Sequence, residues 1–205
     1  MFVSVITGDI VHSKKIKPKV WLPLLEEALS KYATKSSSWK IYRGDSFQLE
    51  VDLDTLFYAL FYIKASIKTE ALLDVRMAVG VGEKTHKGKS VMTSNGSAYI
   101  FSGEMFDSLK KSILGIKTAW HDVDELLNLI LNLAMLQTEK WNPNLSKTVL
   151  FMLNNPNLTQ FDAAVKLEKN QAQLSRELKR AGYEEILKTI HYCTKTLQEK
   201  CSHSS

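Results

Sequence analysis

The sequence is poor in cysteine and in long hydrophobic runs, and each shortage excludes a class of protein. Only two cysteines occur in 205 residues, both among the last 13, which excludes a disulfide framework, so we expect a cytoplasmic protein. No stretch approaches the roughly 20 uncharged apolar residues of a membrane span, so we expect no membrane partner. With 44% hydrophobic and 24% charged residues, the remaining composition is that of a globular protein.

Basic residues are in excess only in the last third of the chain. The formal net charge is +5, and residues 140–205 hold 10 Lys and Arg against 6 Asp and Glu. Residues 1–139 hold 17 against 16. This distribution suits a nucleic-acid-binding module joined to a nearly neutral partner domain, and a solvated lysine surface is the alternative.

The first half alternates between strand and helix patterns. Apolar runs and period-two alternation predict strands at residues 2–8, 39–43, 47–53 and 75–81. Apolar residues at helical spacing predict helices at residues 21–32 and 56–67. This β-α-β-β-α-β order predicts an α+β fold with a ferredoxin-like, palm-type antiparallel sheet and helices on one face. Residues 84–96 read as a loop, residues 98–101 as a strand, 104–114 as a helix and 116–120 as an edge strand.

From Asp122 onward the sequence reads as wholly helical. A broad apolar stripe between Val123 and Met135 predicts a helix that ends near Trp141. We therefore place a boundary at residues 118–122, which gives domains 1–120 and 121–205. Either this stripe or a second one between Ile186 and Cys193 is a candidate contact for a homodimer, because DNA-reading modules commonly pair across two half-sites.

Residues 158–183 have the pattern of a helix-turn-helix. Thr159 followed by Asp162 predicts a capping box, and the helix that it opens is expected to turn Phe161, Ala164 and Val165 inward. A turn at residues 167–170 leads to a second predicted helix at residues 171–181, whose inward residues are Leu174, Leu178 and Ala181.

The other side of that second helix is the predicted DNA reader. Gln171, Gln173 and Arg176 are of the types that read base edges in the major groove. Phosphate contacts need only positive charge, and we assign them to Lys179, Arg180 and Lys169. The alternative is an ordinary helical hairpin with a solvated basic face.

Two aspartates follow strands that a β-α-β-β sheet places side by side. Asp9 follows the first strand and Asp45 lies in the hairpin turn, so the two carboxylates are a candidate Mg²⁺ site. The turn after Asp9, residues 10–15, offers backbone amides and the side chains of Ser13, Lys14 and Lys15 to the phosphates of a nucleoside triphosphate. The alternative is that Asp9 caps the next segment and that Gly44-Asp45 only makes a good hairpin turn.

Two segments resemble class III nucleotidyl cyclases. Residues 7–13, Thr-Gly-Asp-Ile-Val-His-Ser, are similar to the family's Asp-Ile-Val segment, and residues 42–47, Tyr-Arg-Gly-Asp-Ser-Phe, are similar to its hairpin Gly-Asp. Residues 76–82 and the loop to Gly96 resemble the strand and turn that follow. The resemblance implies that Asp9 and Asp45 hold catalytic metal ions. Residues 102–109 contain neither the Asn nor the Arg with which cyclases stabilise the transition state, so we expect nucleotide binding without turnover and assign no catalytic residue.

Over nearly its whole length the chain resembles the SatD family of bacterial proteins. The shared motifs are Gly8-Asp9-Ile10, Arg43-Gly44-Asp45, Arg76, Ser94-Asn95-Gly96-Ser97-Ala98 and Asn157-Leu158-Thr159-Gln160. The resemblance implies a palm-like half followed by a helix-turn-helix half. The expected function is that of a DNA-binding regulator with a nucleotide-sensing domain. The alternatives are a nucleotidyl or phosphoryl transferase that the helix-turn-helix targets, and a protein-interaction adaptor.

Overall fold

A five-stranded sheet lies at the centre of the first half. The computed structural model describes residues 2–110 and 112–203. The strands are β1 (Phe2–Val11), β2 (Trp39–Tyr42), β3 (Ser46–Val51), β4 (Asp74–Glu83) and β5 (Leu114–Lys117). They lie in the order β2-β3-β1-β4-β5, and all neighbours are antiparallel except β4 and β5, which are parallel. The fold is therefore mixed α+β, and its sheet is mixed where the sequence predicted an antiparallel one.

Eight α-helices are present in the described residues. Three belong to the first half: α1 (Pro18–Tyr32), α2 (Leu56–Ile67) and α3 (Ser97–Ser108). Five follow: α4 (His121–Glu139), α5 (Pro143–Asn154), α6 (Gln160–Lys166), α7 (Gln171–Ala181) and α8 (Tyr183–His203). None of the helices in the described residues is long and apolar enough to cross a membrane.

Helices cover both faces of the sheet, which corrects the prediction of helices on one face. The face that carries Ile6, Phe47 and Val79 joins the main core with α1 and α2. On the opposite face α3 packs against β1 and β4. This close approach depends on Gly80, where an added Cβ would lie 2.0 Å from the carbonyl oxygen of Ala98.

The segment between β4 and β5 differs most from its prediction. Residues 98–101 belong to α3 rather than to a strand, because Gly96 adopts a φ of 149° and starts a helix there. The helix predicted at residues 104–114 overlaps only the end of α3, and Lys111 within it lies outside the described residues. The predicted edge strand at 116–120 is β5, which begins two residues earlier, at Leu114, and ends three residues earlier, at Lys117.

The two halves of the chain share one core. Every residue of α2 except Tyr58 is buried, because α1, β4, α5 and α8 all pack against this helix. The buried apolar residues of α2 belong to the same hydrophobic cluster as Leu178 of α7 and Ile190 of α8. The predicted boundary at 118–122 coincides with the start of α4, and the division into two domains stays a prediction.

Candidate functional site

The strand register decides which residues meet Asp9. On β1, Asp9 lies directly opposite Arg76 of β4 and Ser46 of β3. Side chains alternate along a strand, so Asp9 and Thr7 share a face. Thr7 Oγ1 donates to Ser102 Oγ of α3 at 3.1 Å, which identifies this face as the one that α3 covers.

Asp9 and Arg76 form a two-pronged ion pair. Arg76 Nε donates to Asp9 Oδ1 at 3.2 Å, and Nη2 donates to Oδ2 at 2.6 Å. The hydrogen bond to Asp9 raises the pKa of Arg76. The guanidinium also lies over the Phe106 ring, 4.7 Å from its centroid, which fixes its position. The sequence analysis gave Arg76 only as a motif residue and assigned it no role. The antiparallel register of β1 and β4 is the signal that would have paired it with Asp9.

Asp45 joins the hairpin turn to the turn that follows β1. Arg43 and Gly44 have φ angles of 50° and 93°, and this left-handed turn brings the Asp45 carbonyl oxygen within 3.3 Å of the Ile10 amide that donates to it. The Asp45 carboxylate accepts a hydrogen bond from the Ser13 hydroxyl. Ser13 begins a short 3-10 turn (Ser13–Lys15), so its hydroxyl, predicted to bind phosphate, already has a partner.

A cavity of about 510 Å³ collects the predicted residues of this half. Its charged and hydroxyl-bearing lining includes Asp9, Ser13, Lys14, Lys15, Asp45, Arg76 and Lys110. The four basic side chains outnumber the two carboxylates, so the cavity favours an anion. Lys110 was missed, because the sequence placed it in the middle of a predicted helix.

A second cavity, of about 450 Å³, shares this basic wall and continues it towards α1. Lys17 and Arg43 add positive charge, and Trp21 closes one side. The indole of Trp21 is 3% exposed, and its buried Nε1–H has no hydrogen-bond partner among the described residues.

The two carboxylates of the predicted Mg²⁺ site already have partners within the protein. Asp9 and Asp45 line one cavity, and two carboxylates are suitable ligands for Mg²⁺. Both oxygens of Asp9 are engaged by Arg76, however, and Asp45 accepts from Ser13. Among the described residues, no group of three or more His, Cys, Asp and Glu side chains is placed to hold a metal ion. The arrangement fits an ion-paired carboxylate better than a preformed metal centre, and Mg²⁺ stays a prediction.

The second candidate site is the helix-turn-helix pair α6 and α7. As predicted, Thr159 caps α6: its hydroxyl oxygen accepts from the Asp162 amide at 3.1 Å and donates to the Asp162 carboxylate at 2.7 Å. Asn170 caps α7 by accepting from the Gln173 amide at 2.8 Å. The predicted inward residues Leu174, Leu178 and Ala181 are all buried.

One prediction about α6 was wrong in two of three residues. Ala164 is buried as expected, but Phe161 and Val165 are 61% and 64% exposed. The adjacent Ala163 takes the inward position instead, because α6 meets α7 through small side chains. Seven residues are too few for apolar periodicity to locate the buried face.

Glu177, which sequence reasoning did not single out, anchors α7 to α5. Its carboxylate accepts from Thr148 Oγ1 and Lys169 Nζ, both at 2.6 Å, from Asn144 Nδ2 at 3.1 Å and from Gln173 Nε2 at 3.2 Å. Burial raises the pKa of Glu177, but the four hydrogen bonds outweigh burial and lower it to about 2.

This network changes two of the DNA assignments. Lys169 is only 15% exposed and is neutralised by Glu177, so it is not free to contact a phosphate. Gln173 is half-buried, and its amide is partly engaged by Glu177. Gln171, Arg176, Lys179 and Arg180 are exposed as predicted.

The carboxyl end of α7 is held in place by side chains that precede α5. Trp141 Nε1 donates to the Ala181 carbonyl oxygen at 2.9 Å, and Gln137 Nε2 donates to the Arg180 carbonyl oxygen at 2.7 Å. Gly182, in the left-handed region at φ 64°, ends the helix. The exposed basic residues are therefore carried by a helix that is fixed at both ends.

Compared with known proteins, the chain matches no protein-family model and no curated protein sequence.

Proposed function

We propose that the chain is a DNA-binding protein, acting as a transcriptional regulator, that contacts double-stranded DNA through α7. The observation that carries the proposal is the sorting of charge on this helix. Glu177, its one acidic residue, is turned inward and neutralised, while Arg176, Lys179 and Arg180 are exposed. Such a face attracts phosphates and offers base-reading donors from Gln171 and Arg176.

The test is binding of duplex DNA, measured by fluorescence anisotropy over a range of salt concentrations. We expect the logarithm of the affinity to fall linearly with the logarithm of salt, by about 0.9 per phosphate neutralised. Arg176→Ala should weaken binding to a site selected from random duplexes by about tenfold or more. Lys195→Ala removes the same charge from an exposed position on α8 and should have little effect.

The outcomes separate three interpretations. An equal loss on selected and random duplexes would make Arg176 a phosphate contact. Salt-independent binding, or equal effects of the two alanine variants, would contradict the proposal. If neither DNA nor nucleotide binds, the adaptor interpretation is favoured.

We further propose that the first half is a ferredoxin-like, palm-type domain that binds a nucleoside triphosphate. The antiparallel order β2-β3-β1-β4 supports the fold, and the basic cavity beside Asp9 supports the ligand class. The absence of Asn and Arg from residues 102–109 favours binding over turnover. Membership of the SatD family and a cytoplasmic location belong to the same proposal.

Calorimetric titration with ATP, GTP and inorganic triphosphate, with and without Mg²⁺, tests this second proposal. The double substitution Lys14→Ala and Lys15→Ala should weaken binding of all three, because it removes two of the four basic groups of the cavity. Lys19→Ala, at an exposed position on α1, is the control. Formation of a new nucleotide, abolished by Asp9→Ala, would instead favour the transferase alternative.

A further inference from the structure

Four leucines are exposed along one side of α4. Leu129, Leu133 and Leu136 are between 58% and 60% exposed, and Leu126 is 38% exposed. Their spacings of three, four and three residues correspond to successive a and d positions of a heptad repeat. A narrow seam of this kind is typical of a helix that pairs with another helix.

The opposite side of α4 belongs to the core, so the leucines are fixed in place. Val123, Leu127 and Leu131 are buried against the body of the protein. Two hydrogen bonds from Asn128 attach the helix to β5. Asn128 Oδ1 accepts from the Ile116 amide at 2.9 Å, and Nδ2 donates to the Ile116 carbonyl oxygen at 2.8 Å. The two stripes that the sequence offered as dimer contacts are mostly buried in the core, and of the four exposed leucines only Leu126 belongs to either stripe.

The seam carries no charge over most of its length. From Leu126 to Thr138 the helix has no charged residue. Its two ends carry opposite charges. Asp122 lies seven residues, one heptad, before Leu129, and Lys140 lies seven residues after Leu133. A partner that matches this pattern must be apolar in the middle and carry opposite charges at the two ends.

We propose that the seam binds the same seam of a second copy of this chain, in antiparallel orientation. The two helices cross at the level of Leu131, which itself faces the core of its own chain. In this register Leu126 meets Leu136 of the other copy, and Leu129 meets its Leu133. The same register places Asp122 opposite Lys140 of the other copy, at both ends of the pair. A parallel pair would place Asp122 against Asp122 and Lys140 against Lys140, which like-charge repulsion disfavours.

The surroundings of the seam are compatible with this contact. Asp122 already pairs with Lys200 of its own chain at 2.7 Å, but its side chain stays 71% exposed and can accept a second cation. A groove of about 560 Å³ between α4 and α8 borders Leu133 and can receive a leucine of the partner. None of the four leucines belongs to the exposed face of α7 or lines the basic cavity, although the groove also borders Lys179 of α7.

Sedimentation equilibrium of the full-length chain tests the association. We expect a dimer that Leu133→Glu converts to monomer, with at least a hundredfold weaker association, because two charges enter an apolar contact. Leu72→Glu makes the same change at a leucine that is 71% exposed outside the seam, and it should leave the dimer intact. A wild-type chain that remains monomeric at every concentration, or equal effects of the two variants, would overturn the proposal.

Cysteine crosslinking tests the orientation. A mixture of Leu129→Cys and Leu133→Cys chains should form a disulfide-linked heterodimer, while each variant alone should not. The native Cys193 and Cys201 are buried, and the unmodified chain controls for them. Crosslinking of each variant with itself would indicate a parallel pair and overturn the register.

A charge exchange provides a second test of the register. Asp122→Lys and Lys140→Asp should each weaken the dimer, and the double substitution should restore it, because opposite charges again meet across the pair. Lys140→Asp leaves the contact between Asp122 and Lys200 in place, and within its own chain it removes the hydrogen bond from Lys140 Nζ to Gln137 Oε1. No rescue by the double substitution would contradict the antiparallel arrangement.

Discussion

At the scale of single residues, both candidate sites contain carboxylates that are paired by residues outside their own strand or helix. Asp9 is paired by Arg76, and Glu177 by Lys169, Thr148 and Asn144. In each ion pair, one of the two residues is no longer available for the function that the sequence predicted for it. Asp9 becomes an ion-paired carboxylate, and Lys169 becomes a structural cation.

The first prediction concerns Glu177. Replacing it with Gln leaves the Lys169 ammonium without its counterion in a site where little water reaches, so Glu177→Gln should lower the free energy of unfolding at neutral pH by roughly 2 kcal/mol. Urea unfolding followed by circular dichroism measures this change. Glu168→Gln, at an exposed position in the turn before α7, should change stability little.

The pH dependence of stability follows from the same residue. The pKa of Glu177 is lowered in the folded protein from its ordinary value of 4.5 to about 2, so its stabilisation is complete above pH 4.5. Stabilisation on the order of 3 kcal/mol is then lost as pH falls from 4.5 towards 2. Unfolding free energies measured across this window should fall more steeply for the wild-type chain than for Glu177→Gln. Parallel curves would show that Glu177 is not the group responsible.

At the scale of elements, helix ends are held by glycines and caps that act locally. Gly182 ends α7 in the left-handed region, and an added Cβ would lie 2.6 Å from Gln137 Cγ. Gly103 lies inside α3, where an added Cβ would meet nothing within 4 Å. The two glycines therefore have opposite energetic consequences.

We predict opposite effects of the same substitution at these two glycines. Gly182→Ala should destabilise the protein by about 1 kcal/mol or more, because alanine resists the left-handed conformation and pushes against Gln137. Gly103→Ala should stabilise it by about 0.5–1 kcal/mol through better helix propensity. Thermal and urea unfolding of both variants would measure the pair, and effects of the same sign would contradict this account.

At the scale of the whole molecule, α2 connects the two halves. Its apolar residues are covered by α5 and α8 as well as by the sheet, so neither half can bury α2 alone. Lys64 of α2 is fully buried and pairs with Asp74 of β4 at 2.5 Å.

We therefore predict that the full-length chain unfolds in a single cooperative transition. A fragment of residues 1–120 should lack that transition and expose apolar surface, because α2 loses its cover. Calorimetry and binding of a hydrophobic dye would measure both effects. Addition of residues 121–205 should restore the transition. A fragment that unfolds cooperatively by itself would show that the two halves are independent domains.

Local sequence patterns determined most of the secondary structure. The β-α-β-β-α-β order, the cap at Thr159 and the buried positions Leu174, Leu178 and Ala181 follow from turn residues and apolar spacing, which act over a few residues. The same patterns were misleading at residues 98–101, where an apolar run fits either a strand or a helix that packs on glycines.

Only the tertiary structure decided which side chains meet and which faces remain exposed. The register of β1 and β4 pairs Asp9 with Arg76, the packing of α5 on α7 buries Glu177, and the position of α4 on β5 exposes a row of leucines. These contacts join residues far apart in the chain, so their energies depend on the whole fold. The amino-acid sequence by itself determined the elements, whereas long-range packing determined the sites.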